Sequence, residues 1–157
     1  MLERLWGERT LPHMHLTSFL LRVGLAIIFL YHGYLKLVVR EYGGWSDTLP
    51  ETTQVAVAWG ETLCGAALLV GFMSRVAAAG ITAIMVGAIA LQTGKLGFVN
   101  IEYLPKGKGV ADQIPVGAEY NFAVIVMCLA VIALGSGKVS LDYLIFERRR
   151  GQQPPKP

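Results

Sequence analysis

The sequence predicts an all-α membrane protein: a four-helix transmembrane bundle, with short amphipathic interfacial helices at one or both termini. Three observations carry this reading. Of 157 residues, 54% are hydrophobic and 16% charged, against about 45–50% and about 25% in ordinary soluble domains. The apolar residues are gathered into four blocks rather than spread evenly. The blocks also offer almost no polar face, Ala66–Val70 and Phe122–Ala133 being uniformly apolar. A soluble bundle needs such faces, and a small soluble domain needs more charge to cover its surface. The apolar content excludes disorder, and two cysteines exclude a disulfide scaffold. The net charge of +3, with one short basic tail, speaks against nucleic acid as a partner.

Residues 1–16 read as a cytoplasmic N-terminal segment, in which Leu2, Leu5 and Trp6 beside charges suit a short interfacial helix. Residues 17–142 read as one membrane domain with spans at about 17–39, 53–73, 75–93 and 118–136. Each approaches the ~20 residues that cross a ~30 Å hydrocarbon core. Backbone in lipid must satisfy its own hydrogen bonds, so each should be a helix. The first block runs into Tyr31-His32-Gly33-Tyr34 rather than a small-residue cleavage site, so it reads as a span and not a signal peptide. Trp45, in the loop after it, suits an interface anchor. The second and third spans are joined by Gly71–Arg75, with a helix stop at Gly71 and an N-cap at Ser74. The long Gly94–Gly117 loop alternates apolar and polar residues over Phe98–Tyr103, which suits a short strand, a lid or a plain connection. The fourth apolar block is short, and Val116 to Glu119 would complete its first turn. After it, Ser140 suits an N-cap for an amphipathic segment ending in Arg148–Arg150, and residues 143–157 form a basic cytoplasmic tail.

Basic residues set the orientation. Arg4, Arg9, Arg22, Arg75, Lys138, Arg148, Arg149, Arg150 and Lys156 lie on the side of the termini, and Lys36, Arg40, Lys95, Lys106 and Lys108 on the other. Both termini are therefore expected in the cytoplasm.

Ionisable groups inside spans are costly and usually face the bundle interior. Counting 1.5 Å per residue from the outer ends, Lys36 lies about 5 Å deep, His32 about 10 Å and Glu61 about 12 Å. Gln92 ends the third span on that side, and Glu119 and Asn121 begin the fourth. All four helices thus supply polar groups to one outer layer. His32 and Lys36 are spaced i,i+4, so both can approach Glu61. The layer reads as a polar clasp that fixes helix packing, or as a site for a small polar or quinone-like ligand or a proton relay. Tyr31, Tyr34 and Trp59 suit an aromatic pocket or an interface belt. Arg22 and Arg75, at the inner end, suit anchoring to lipid phosphates. Gly60/Cys64, Glu61/Gly65 and Ala79/Ala83/Gly87 read as packing faces. No metal site is expected: the cysteines stand alone, and His13-Met14-His15 is too weak a signal.

The stretch LLRVGLAIIFLYHGYLKL resembles the first signature of the DoxX-like (DoxX/DoxD) membrane proteins, and ETLCGAALLVGFMSRVAAAGITAIM resembles their second. Gly97-Phe98, Glu119 and GSGKVSLD match the later marks, so the resemblance covers about residues 17–142. It implies a multi-pass protein of a bacterial or archaeal inner membrane. It also implies a link to thiosulfate:quinone oxidoreduction, quinone or catechol resistance, or oxidative-stress complexes. The positions carried over as signature residues are Arg22, His32, Lys36, Glu61, Arg75 and Glu119, with Gly33 and Gly65 as structural positions.

The leading expectation is a membrane subunit of a quinone-linked redox system. No haem, flavin or iron–sulfur motif is visible, so a partner protein or soluble donor would supply electrons. A non-catalytic scaffold of a larger membrane complex is the alternative, and a small permease, which four spans would require to be a homo-oligomer, a third.

Overall fold

The computed structural model describes residues 10–39, 46, 49–98 and 117–147. Helix α1 is Thr10–Tyr34 and continues as a wider π-helical turn over Leu35–Val39. Helix α2 is Glu51–Val70, α3 is Ser74–Leu91, and α4 is Glu119–Leu134. A 3-10 turn follows α3 at Thr93–Leu96, and a second π-helical turn covers Tyr143–Glu147. The described residues contain no strand. The proposed interfacial helix over Met1–Arg9, most of the Phe98–Tyr103 segment, Trp45 and Arg148–Arg150 lie outside the described residues.

The helices form a closed four-membered ring: α1 packs on α2 and α4, and α3 packs on α2 and α4. Each turns one narrow stripe inward. On α2 the buried residues are Gln54, Ala58, Glu61, Gly65 and Leu68, the 3.6-residue spacing of a single helix face. Leu25, Phe29, Leu68, Ile81, Met85, Val124 and Val131 fill the centre. The outward faces are as apolar as the core, with Ile27, Leu63, Val86 and Leu129 each more than half exposed. Lipid tails are the environment that such faces suit.

Met14–Val38, Glu51–Val70 and Ser74–Leu91 are long and apolar enough to cross a membrane. Helix α4 is apolar but has 16 residues, about 24 Å at 1.5 Å per residue, and is shorter than the expected span at 118–136. Backbone pairing outside the helix sets its start. Ala118 N–H donates to Gly97 O (3.1 Å) and Glu119 N–H to Phe98 O (3.0 Å). These bonds tie the segment before α4 to the end of the 3-10 turn. At the other end Gly135, with φ +76°, stops the helix.

The stop at Gly71 is as expected. Gly71 is left-handed (φ +71°), and Phe72 N–H reaches back to Ala67 O at 2.9 Å, which is a Schellman closure. The expected N-cap is not. Ser74 is the first helical residue, and its hydroxyl is buried without a partner. The cap comes from far along the chain: Met73 N–H donates to Asp142 Oδ1 (2.6 Å) and Ser74 N–H to Asp142 Oδ2 (3.0 Å). A carboxylate with two oxygens satisfies two free N–H groups and the positive helix end together, which one serine hydroxyl cannot. Ser140 is an N-cap as expected, its Oγ accepting from Tyr143 N–H at 3.1 Å.

Of the small-residue faces, two are packing faces. A Cβ on Gly65 would lie 3.1 Å from Leu30 N, and one on Gly60 would lie 3.2 Å from Ile84 Cδ1. The Ala79/Ala83/Gly87 row does not pack within the chain: Ala79 and Ala83 are exposed, and nothing lies within 4 Å of Gly87. The larger Ile81 and Met85 take the buried stripe of α3 instead. Gly33 is the tightest point, where a Cβ would collide with the Thr62 hydroxyl and lie 3.3 Å from Thr62 Cα. Gly33→Val should therefore destabilise the protein by about 1–3 kcal/mol through overpacking. Thr62→Ala should restore part of that loss. Denaturant unfolding in detergent measures both, and equal stability of the single and double variants would show that Thr62 is not the obstacle.

Candidate functional site

One end of the bundle gathers the polar residues expected in the outer layer. Lys36 sits in the π-helical turn that ends α1, and its Nζ donates to Glu61 Oε1 at 2.6 Å and Oε2 at 2.8 Å. The side chain of Glu61 is 3% exposed and that of Lys36 is 18% exposed. The carboxylate is therefore enclosed, and a cation bridges both of its oxygens. Gly65, one turn further along α2, lets α1 approach closely, which brings the lysine within reach.

His32 lies within electrostatic reach of both Glu61 and Lys36 but is not part of their hydrogen-bonded pair. It forms no hydrogen bond with Glu61, and its ring stacks on Tyr120 of α4 with centroids 6.2 Å apart and planes 29° apart. Lys36 bonds Glu61 of α2, His32 stacks on Tyr120 of α4, and Tyr120 too lies within electrostatic reach of Glu61. His32 is exposed on the surface of the bundle, as are Tyr31, Tyr34 and Trp59. These aromatics form an outward-facing band rather than the lining of an enclosed pocket.

The other members close off the same end by hydrogen bonds. Gln92 Nε2 donates to Ser46 Oγ (2.7 Å), and Asn121 Nδ2 donates to Thr93 Oγ1 (2.7 Å). Glu119 places Oε2 in a buried position without a hydrogen-bond partner. Gln92, Glu119 and Asn121 thus lie at the helix ends and do not touch the Lys36–Glu61 pair through any of these bonds. Gln54, which sequence reasoning passed over, belongs with them. It is 5% exposed, and its amide donates to Ser46 O and Leu49 O, both at 2.8 Å. Tyr120 was also passed over. Its position beside Glu119 at the head of the fourth span was the available signal.

The opposite end holds a second polar layer. Arg22 is fully buried, with Nη1 donating to Leu68 O (2.9 Å) and Nη2 to Val139 O (2.5 Å). It lies 5.9 Å from the Phe19 ring centroid. The expectation that Arg22 anchors lipid phosphates is corrected: its guanidinium bonds carbonyls at the C-terminal end of α2 and in the segment after α4. Gly71 allows this, because a Cβ there would strike Arg22 Nη1 and lie 2.6 Å from Ser140 Cβ. Ser18 Oγ donates to Gly135 O beside it. Arg75 is exposed, as an interfacial arginine should be. Asp142, quoted in the SLD ending but assigned no role there, is the residue that joins this layer to α3.

Both arrangements can act chemically. A Lys–Glu pair sheltered from water can hold or release a proton, and it can equally serve as a fixed clasp. An exposed imidazole against a phenol offers a donor, an acceptor and a flat face toward the membrane.

A family model described as DoxX matches residues 17–94. The match takes in α1, α2 and α3 from residue 17 on, including Arg22, His32, Gly33, Lys36, Glu61, Gly65, Arg75 and Gln92. Helix α4 and the SLD ending lie beyond it. No curated protein and no solved structure matches the chain.

Proposed function

Given that the chain belongs to the DoxX family through residues 17–94, we propose that it is a membrane subunit of a quinone-linked redox or oxidative-stress system. The observation that carries this reading is the His32–Tyr120 stack, open to the membrane and within a turn of the sheltered Lys36–Glu61 pair. A quinone is apolar enough to arrive through the lipid. The outward imidazole and phenol fit its flat head group and its carbonyl oxygens. Reduction to the quinol takes up two electrons and two protons. Partner proteins or soluble donors supply the electrons, and this chain's residues orient the head group and hold protons nearby.

Quinone binding to the purified protein, measured against His32→Ala and Glu61→Gln, tests this. His32→Ala should weaken binding about tenfold, the loss of a charge-neutral hydrogen bond plus ring contact, on the order of 1.4 kcal/mol. Unchanged binding in both variants removes the site.

The completed ion pair favours a second reading. Glu61 has both oxygens bonded to Lys36, which is what a packing clasp in a non-catalytic scaffold requires. Stoichiometric co-purification of partner subunits, with no quinone bound, selects that reading.

A further inference from the structure

At the end of the bundle away from the Lys36–Glu61 pair there is a cavity of about 400 Å³, lined by His15, Met73, Arg75, Val76, Leu134 and Asp142 together with the turn after α4. Two of its groups carry opposite charge, yet they do not pair with each other, since the ion pair among described residues is Lys36–Glu61. Arg75 forms no hydrogen bond or ion pair among the described residues and is exposed. Asp142 is fixed in place, each oxygen accepting one N–H from the start of α3. Each oxygen keeps capacity for a further donor. Gly135 keeps the wall open beside the arginine, because a Cβ there would lie 3.2 Å from Arg75 Nη2. Met73 and Val76 are 48% and 60% exposed at the rim and present apolar surface to lipid.

An anion alone would satisfy Arg75 and face Asp142 unfavourably. A cation alone would do the reverse. A ligand carrying both charges offers a partner to each wall. We propose that this cavity binds a zwitterionic phosphate–ammonium group of the phosphoethanolamine type. The phosphate sits on the Arg75 guanidinium, where planar paired donors suit its oxygens. The primary ammonium donates to Asp142. Met73, Val76 and Leu134 meet the adjoining carbons. A choline group has no N–H to donate, and a glycerol head group carries no cation, so both fit less well.

The test uses the full chain, delipidated in detergent. Phosphatidylethanolamine, phosphatidylcholine and phosphatidylglycerol with matched acyl chains are titrated in, with native mass spectrometry and thermal unfolding as readouts. Phosphatidylethanolamine should be retained at least fivefold more than the other two. Arg75→Gln should reduce it to their level. Val76→Trp, which crowds the cavity rim and leaves both charges in place, should do the same and guards against misfolding of the first variant. Soluble phosphoethanolamine distinguishes the sources: competition shows that the head group suffices, whether free or lipid-borne, and its absence assigns recognition to the lipid. Equal retention of the three lipids, a preference for phosphatidylglycerol, or retention unchanged in both variants overturns the proposal.

Discussion

Lys36→Met should lower the unfolding free energy by about 3–5 kcal/mol, because it leaves the Glu61 carboxylate buried without its counter-charge. The side chain of Glu61 is 3% exposed, and both of its oxygens accept from Lys36 Nζ. Among the described residues Lys36 is the hydrogen-bond donor to this carboxylate. The double variant Lys36→Met, Glu61→Leu should recover most of the loss, since an apolar pair of similar volume removes the buried charge with its partner. Denaturant unfolding in detergent closes this cycle. Additive losses in the two single variants and the double variant would show that the pair contributes nothing as a pair. The double variant also separates the two functional readings. If it folds and assembles but no longer binds quinone, the pair serves the ligand. If binding persists, the pair is a clasp.

Arg22→Met should cost a similar amount at the other end, with a local signature. The buried Leu68 O and the part-buried Val139 O lose their donors, at about 1–3 kcal/mol for the buried one and less for the other. A cation also disappears from the C-terminal end of α2, where it complements the helix dipole. The segment after α4 is held to the bundle by Arg22, by Ser18 through Gly135 O, and by Asp142 through Met73 N and Ser74 N. Loosening the first of these should speed trypsin cleavage at the exposed Lys138 before global unfolding is reached. Arg22→Lys should not rescue it, because one ammonium on a flexible stem does not reproduce a fork fixed on two carbonyls. Cleavage at the wild-type rate in Arg22→Met would show that the segment is held by its other contacts.

Much of this architecture could be read along the chain. Gly71 stops α2 because its left-handed φ is a local property, and Ser140 caps the next turn through a residue three positions away. The Lys36–Glu61 contact was accessible from depth counting, because both groups are too costly to leave in lipid unpaired. Other features were not accessible. The i,i+4 spacing of His32 and Lys36 brought both near Glu61, but the stack of His32 on Tyr120 of α4 could not be read from one helix. Arg22 looked like a lipid anchor because it lies near a span end. Only the return of the chain through Val139 places a carbonyl over its guanidinium.

The sequence by itself determined the membrane class, the helices, the stop at Gly71 and the gathering of polar groups toward one outer layer. Each of these follows from hydropathy, chain length and local backbone preference. The tertiary structure decided which polar groups meet. It paired Lys36 with Glu61, turned His32 outward, buried Arg22 and gave Asp142 the cap of α3 in place of Ser74. Those outcomes depend on helix rotation and on contacts between residues 25 to 117 positions apart. Neither is encoded in spacing along one helix.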